Sequence, residues 1–482
     1  MNPLNAKTVE KPALPVKILQ FGEGNFLRAF VDWMIDKANQ AGKMNHGVAI
    51  VQPIAGGEFI RDLFAKQDNL YHVYLEGIKD KQPVKEVALV KCITGVYNPY
   101  TDYKTYESIF LSEELEMIVS NTTEAGIRYE EGDDLNAEPP ASFPAKMTAL
   151  LYKRFKKFNG DASKGLSIIC CELIEDNGST LRQYVLKHAA ANQLGADFEN
   201  WVNTHCHFYD TLVDRIVPGF PKENIGEIQA EIGFEDNLVV KGEYFHVWAI
   251  GGDSSIKEKL PLDQAGLNVL FMDDIREFRA KKVRILNGSH TGMVPVALQL
   301  SCATVMDAFN TPEVEKFINK MVSEETLPVI DEDPVELKKF AGKILERFYN
   351  PYLKHYLKDI SLNSLSKWET RNFPTVKDNF TKLNKNARLN TFSFAALLVL
   401  YSGKSAVEFT PNDTPEFVEF IQSTFDNNHI QDWVEGIVNN KKIWKEDFAV
   451  SPYFIDEVAA SASAILKHGM KAALTDLLNS LK

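Results

Sequence analysis

Residues 16–40 read VKILQFGEGNFLRAFVDWMIDKANQ, and the fold follows from how this stretch changes character at Gly22. Val16 to Gly22 is a short apolar run ending in glycine, the pattern of a buried strand entering a tight turn. Past the turn, Leu27, Phe30, Val31, Met34 and Ala38 recur at i, i+3, i+4, i+7 and i+11, one face of an amphipathic helix. GVAIVQP (Gly47 to Pro53) is the next strand and completes a βαβ unit. In the turn itself, Gly22 permits the bend and Gly24 lets the backbone come close to a pyrophosphate. Leu27 stands where the dinucleotide fingerprint carries its third glycine. Arg28, in the first helical turn, is within reach of the phosphates of such a ligand. The second strand closes on Val51-Gln52-Pro53, where Gln52 can hydrogen-bond a ribose. No carboxylate stands beside it to repel a 2′-phosphate and no arginine to attract one, so the pattern leans towards NAD.

Outward from this unit, HVYLEGI, VALVKCI, EMIVSNT and LSIICCEL are expected strands, with helical stretches between them. EYFHVWAI (Glu243 to Ile250) alternates more than the rest, which predicts an edge or antiparallel position. After about Asp273 helical periodicity takes over: from Lys282, then Pro312 to Glu325, Val335 to Tyr349, Ser393 to Tyr401, Pro415 to Phe425 and Tyr453 to Leu481. The expected architecture is α/β, with a Rossmann-type doubly wound domain over residues 1–275 and an all-helical domain over 276–482.

Of the 482 residues, 45% are hydrophobic and 25% charged, and the net charge of −13 argues against nucleic acid as a partner. No signal peptide is read at the N-terminus. The longest apolar run, Phe394 to Tyr401, is too short to span a bilayer, so no membrane partner is expected. Five scattered cysteines fit a reducing, cytoplasmic setting. His205-Cys206-His207 is a poor metal set, because adjacent residues rarely converge on one ion, and no metal is expected.

RAKKVRILNGSHTGMVPVALQL (Arg279 to Leu300) is apolar enough to be half-buried, yet carries Lys282, Asn287 and His290. On an uninterrupted α-helix, His290 lies roughly 80° and Asn287 roughly 140° around from Lys282, a continuous polar arc. A lysine whose pKa falls from about 10.4 towards neutrality can give a proton to a developing alkoxide and take one from an alcohol. Asn287 can donate to the same oxygen. The same spacing is also that of an ordinary polar helix edge.

KxxxxNxxH, as Lys282, Asn287 and His290, resembles the active-site signature of the polyol-specific long-chain dehydrogenases, the family of the mannitol dehydrogenases. GEGNFLRAF (Gly22 to Phe30) is similar to that family's glycine turn, with Phe30 in place of its common histidine. SNTTEAGI (Ser120 to Ile127) looks like its segment near the nicotinamide, CCELIEDNG (Cys170 to Gly178) like its C-[DE]-N-x-x-x-N-G segment, and VDRIVP (Val213 to Pro218) like a further hallmark. The resemblance implies reversible NADH-linked reduction of a sugar acid, D-tagaturonate to D-altronate, in hexuronate catabolism, with no metal. It makes Lys282 the acid/base, Asn287 and Asn177 polarisers of the carbonyl, and His290 an orienting group. Leu173 replaces the first Asn of the C-[DE]-N pattern, which bears on the assignment of Asn177. Phe21, Gly22, Gly24, Asn25, Phe26, Arg28, Gln52, Asn121 and Thr122 become the candidate NAD-binding residues. For the substrate carboxylate the candidates are Arg371, Lys377 and Arg388, within a polar stretch between C-terminal helices, with Arg388 preferred for its bidentate fork. A sibling activity on mannitol, fructuronate or another polyol, and a non-catalytic nucleotide sensor, are the competing readings. Monomer and homodimer both stay open.

Overall fold

The computed structural model describes all residues except 124, 353, 449, 450 and 482. Its contacts divide the chain into two units: Met1–Gly77 with Pro83–Arg276, and Ile78–Gln82 with Glu277–Lys482.

The first unit is built on an eight-stranded sheet. In chain order the strands are β1 (Val16–Phe21), β2 (Gly47–Val51), β3 (Ile93–Tyr97), β4 (Met117–Ser120), β5 (Ser167–Cys170), β6 (His207–Asp214), β7 (Val247–Gly251) and β8 (Val269–Met272). They lie in the order 3-2-1-4-5-6-7-8, parallel from β3 through β6. Every residue of GVAIV in β2 and MIVS in β4 is buried, as expected for strands covered on both faces. The order reverses at β1, between β2 and β4, and the crevice beyond the carboxyl ends of strands at such a switch point is where doubly wound sheets bind ligands.

One expectation changes. HVYLEGI and most of VALVKCI lie outside the main sheet: Tyr71–Lys79 and Gln82–Val90 form a hairpin in a three-stranded sheet with Val240–Glu243. The cause is local, since Asp80 and Lys81 both take left-handed backbone (φ 53° and 61°), the two-residue turn that matches strand twist. Strand β7 takes the antiparallel position expected of it, paired with β6, and β8 covers its other side.

The second unit is helical. Its central helix, Arg388–Tyr401, is buried at every position after Arg388, which explains why its second half, Phe394 to Tyr401, reads as a continuous apolar run. Trp368, Trp444, Phe448 and Phe454 pack around Phe394 of this helix, with the Trp368 and Phe394 ring centroids 4.3 Å apart. The polar stretch from Trp368 to Leu389 is not a loop: it finishes helix Ser364–Arg371 and forms Phe373–Leu383. Gly469 (φ 79°) divides the last predicted helix into Phe454–His468 and Met470–Ser480. Among the described residues no helix is long and apolar enough to cross a membrane.

Candidate active site

At the switch point the chain leaves β1 through a hydrogen-bonded turn. The Gly22 N–H donates to the Val51 carbonyl at 2.9 Å, and the Asn121 N–H to the Phe21 carbonyl at 3.1 Å. Gly22 has φ 124°, and a Cβ there would stand 3.2 Å from the Asn121 carbonyl oxygen, so only glycine serves. A Cβ on Gly24 would meet nothing within 4 Å, so the space above the turn is open. Leu27, at the third fingerprint position, is buried against Gly22. This open cradle fits a dinucleotide.

The other residues expected to hold it divide. Phe21 offers only backbone, because its ring lies in the core against Tyr106 and Phe143. Phe26 is half-buried and stacked on Phe30 at 4.9 Å, while Asn25 is exposed at the turn. Arg28 does not stand ready for phosphates. It is buried, donates to the Leu238 carbonyl (2.8 Å) and Asn25 Oδ1 (2.6 Å), and lies over the Phe64 and Tyr71 rings. Gln52 is buried and donates to Glu23 Oε1 (3.2 Å) and the Gly57 carbonyl (2.8 Å). Beyond β4, Asn121 is half-buried, and the Thr122 N–H and hydroxyl both donate to Glu172 Oε1 at 2.9 Å. Glu172 is almost fully buried, and that burial pushes its carboxyl pKa up. Glu124, in the same segment, lies outside the described residues.

Asn177 corrects the expectation drawn from the resemblance. Its amide donates to the carbonyls of Cys170 (3.0 Å), Glu172 (2.9 Å) and Thr211 (3.2 Å), and its oxygen accepts from the N–H groups of Gly178 and Thr211 at 2.9 Å each. A side-chain amide has two N–H bonds to give, so none remains to polarise a substrate carbonyl. Asn177 instead pins the chain between β5 and β6. Leu173, nearby, is 67% exposed.

In the second unit, Lys282, Asn287 and His290 sit on one continuous helical run that is not uniformly α. Val283–Asn287 is a π turn, closed by a hydrogen bond from the Gly288 N–H to the Val283 carbonyl. In such a turn residue i+5 comes round above residue i, as i+4 does in an α-helix. Lys282 and Asn287, five apart, therefore share a face instead of standing roughly 140° apart. His290, three residues on, joins the same face. The flanking cations are tied elsewhere: Lys281 to Glu332 (2.7 Å) and Arg284 to Asp378 (2.6 Å).

Two polar atoms on this face, Asn287 Oδ1 and His290 Nε2, are buried without a hydrogen-bond partner. An unmatched buried polar atom is costly, and a ligand group is one thing that removes the cost. The His290 ring lies 4.5 Å from Phe348 and 5.1 Å from His355. Burial, then the neighbouring His355, Arg347, Arg371 and Lys282, hold its pKa well below the usual histidine range. His290 is therefore neutral at pH 7, within a cluster of cations.

Arg371 belongs to that cluster. Its Nη1 donates to Thr291 Oγ1 at 3.2 Å. The helix carrying His290 passes close to this segment: a Cβ on Gly288 would stand 3.4 Å from the Arg371 carbonyl, and one on Gly292 2.8 Å from the Met321 side chain and 3.3 Å from the Asn372 side-chain amide. Asn372 Nδ2 donates to the Gly288 carbonyl (3.0 Å) and to Asn390 Oδ1 (2.9 Å), and Asn390 Nδ2 donates to Glu325 (2.8 Å). Glu325 also accepts the backbone N–H groups of Leu389 and Asn390, and burial pushes its pKa up to about 7. Arg388 and Lys377 are not brought to this cluster. Both are exposed, Arg388 bonded to Ser480 (3.0 Å) and Lys377 paired with Glu446 (3.3 Å). Sequence reading missed Arg347, His355 and the Glu325 chain. For Arg347 and Glu325 the only signal is a charged residue inside an apolar helical pattern, and His355, between helices, gives none; long-range contacts alone bring them together.

Family models for the mannitol dehydrogenase Rossmann domain and the mannitol dehydrogenase C-terminal domain match residues 16–264 and 274–466. The chain is 42% identical to the altronate oxidoreductase of Bacillus subtilis strain 168 over 462 residues, covering 95% of each. It is 38% identical to that of Bacteroides thetaiotaomicron over 481 residues, covering 99% of this chain and 100% of the relative. Among solved structures, it is similar to Pseudomonas fluorescens mannitol 2-dehydrogenase, in ternary complex with NAD and D-mannitol (TM-score 0.71, 21% identity, covering 97% of this chain and 95% of that one). It is also similar to a substrate-free D-sorbitol dehydrogenase (TM-score 0.83, 18% identity, covering 98% and 100%). The chain belongs to the mannitol dehydrogenase family and is an oxidoreductase.

Proposed function

We propose that this member of the mannitol dehydrogenase family interconverts D-tagaturonate and D-altronate with NADH and NAD, using Lys282 as the proton donor and acceptor. The choice of substrate is carried by the nearly full-length similarity to proteins named altronate oxidoreductase. The cations around His290 are an independent support, because a sugar acid brings a carboxylate that a neutral polyol lacks.

When bound, the nicotinamide dinucleotide supplies or accepts the hydride at the carbon that changes oxidation state. Lys282 Nζ gives its proton to the oxygen on that carbon during reduction and takes it back during oxidation. Asn287 shares the face of Lys282 and donates its amide N–H to the same oxygen, favouring the charge that develops there. His290, held neutral, exchanges a hydrogen bond with a substrate hydroxyl through Nε2 and leaves proton transfer to Lys282. Arg371, anchored on Thr291, offers its fork to the carboxylate, and Arg347 adds to the positive field. This role passes to Arg371 from Arg388, which is exposed and bonded to Ser480.

The test is direct. Purified protein is mixed with NADH and D-tagaturonate, and the nicotinamide absorbance is followed beside parallel reactions with D-fructuronate and D-fructose. Rapid loss with D-tagaturonate alone supports the proposal. Turnover only with another ketose reassigns the substrate and keeps Lys282 in its role. No turnover with any of the three, despite measurable NADH binding, overturns the proposed substrate and leaves an untested substrate or a nucleotide sensor as the account.

A further inference from the structure

We infer that Glu23, within the glycine turn, is the acid that holds the adenosine ribose of the dinucleotide and excludes one carrying a 2′-phosphate. The inference rests on the dinucleotide reading above and adds the residue that sets cofactor preference. In doubly wound sheets a carboxylate at the end of the second strand ordinarily accepts the ribose hydroxyls. Here that position is Gln52, after β2, and it has no negative charge to offer.

The structure brings a carboxylate to the same place from another part of the chain. Gln52 is completely buried, and its Nε2 donates across to Glu23 Oε1 at 3.2 Å while also holding the Gly57 carbonyl at 2.8 Å. One amide thus ties the glycine turn, the end of β2 and the loop 53–57 together, with the Glu23 carboxylate at the junction. Gly57 confirms how closely the loop approaches. It has φ 110°, and a Cβ on it would stand 3.1 Å from Glu23 Oε1 and 2.5 Å from Gln52 Nε2. Glu23 is half-buried, and no other hydrogen bond to its carboxylate is found among the described residues, so Oε2 is available to a ribose hydroxyl.

The surroundings offer little to a 2′-phosphate. Arg28 is buried and engaged with the Leu238 carbonyl and Asn25. Arg61, on the helix that follows Gly57, is directed to Asp62 (3.6 Å) and Thr101 (3.5 Å). Arg28 lies within electrostatic reach of Glu23, but its guanidinium is buried and bonded away from the turn's open side. The half-buried Glu23 carboxylate accepts hydroxyls and repels a phosphate dianion, so charge at this position bears on the choice between the two dinucleotides.

The test is equilibrium binding of NADH and NADPH to the full chain, followed by nicotinamide fluorescence, for the natural protein, Glu23→Gln and Glu23→Asp. Losing a charged hydrogen bond weakens NADH by about tenfold in Glu23→Gln. The same change strengthens NADPH, so the NADH preference narrows by about a hundredfold in total. Glu23→Asp keeps the charge and keeps NADPH excluded, which separates loss of charge from loss of fold. If the natural protein prefers NADH and Glu23→Gln leaves both affinities unchanged, the inference falls and the proposed reaction stands. If the natural protein binds neither dinucleotide, the reading beneath both falls.

Discussion

Each unit carries its motif on a helix interrupted by a π turn, Arg28–Asp32 in the first and Val283–Asn287 in the second. Both leave buried polar atoms unmatched, among them Arg28 Nε, Asp32 Oδ1 and Gln20 Oε1 in the first, but there each side chain is also tied by other hydrogen bonds, whereas no side-chain hydrogen bond of Asn287 or His290 is found among the described residues. In the first, Arg28 is bonded to Leu238 and Asn25, and Asp32 accepts from Tyr71 (3.1 Å) and Gln20 (3.4 Å). Gln20 in turn donates to the Gly22 carbonyl at 3.1 Å, so this buried network fixes the glycine turn from below. In the second, Asn287 Oδ1 and His290 Nε2 are buried and unmatched. The same irregular helix type shapes the backbone for a ligand in one case and presents side chains to a ligand in the other. Polar groups in the first unit should therefore govern stability, and those in the second should govern turnover.

The sharpest way to break that contrast is Lys282→Ala. Turnover should fall by about a thousandfold or more, within the range general acid–base groups contribute, while NADH binding in a fluorescence titration stays within about twofold. Unchanged turnover would remove Lys282 from the chemistry. Next in size, Asn287→Ala should lower kcat by about a hundredfold or more with no loss of melting temperature, since the oxygen removed has no partner. Arg28→Ala should do the reverse. It should cost about 2–3 kcal/mol in urea unfolding, from lost hydrogen bonds and lost packing over Phe64 and Tyr71, with kcat of the folded enzyme little changed. Stability loss in the first variant and kcat loss in the second would invert the comparison.

A smaller effect sharpens the second unit alone. Arg371→Ala should raise KM for the sugar acid by about ten- to a hundredfold, and Arg388→Ala by less than about twofold. Equal effects would mean that the cluster at His290 does not receive the carboxylate. The smallest effect lies in pH. Burial raises the Asp32 pKa from 3.8 to about 7, and that of Glu325 from 4.5 to about 7. Between those limits the folded chain keeps protons that the unfolded chain has released. Their contribution is therefore fully present below about pH 4 and is lost as pH rises through about 7, by at most roughly 1.4 kcal/mol per pH unit for each group. Urea unfolding of Asp32→Asn, compared with the natural protein from pH 4 to 8, should lack the Asp32 share of that slope; identical slopes would mean the carboxyl is ionised throughout.

What could be read beforehand was whatever short-range pattern dictates. VKILQFG ends in glycine because Gly22 needs a positive φ. GVAIV reads as a continuous apolar run because both faces of the sheet are covered. The helical second half is legible because Phe394 to Tyr401 must be buried all round. What could not be read depends on partners far along the chain. Asn177 looks like a polariser until its bonds to Cys170 and Thr211 are seen, and Arg28 looks like a phosphate ligand until the Leu238 carbonyl is found beside it. Arg371 and Arg388 are equivalent as letters, and only their partners far along the chain distinguish them: Thr291 for Arg371 and Ser480 for Arg388. The face shared by Lys282 and Asn287 was hidden for another reason: helical angles assume one residue spacing throughout, and the π turn breaks that assumption.

That turn also bears on how the chain is compared with its relatives. A π turn is one residue more than an α-helix needs over the same rise, and it absorbs that residue without rotating the helix on either side. In genetic terms, a helix can accommodate a single inserted codon in this form. A relative with lysine and asparagine four apart on a regular helix would present the same pair in the same direction. A one-position gap between residues 283 and 287 would then record a change of helix type and conserve the chemistry, even though the spelling of the motif had shifted.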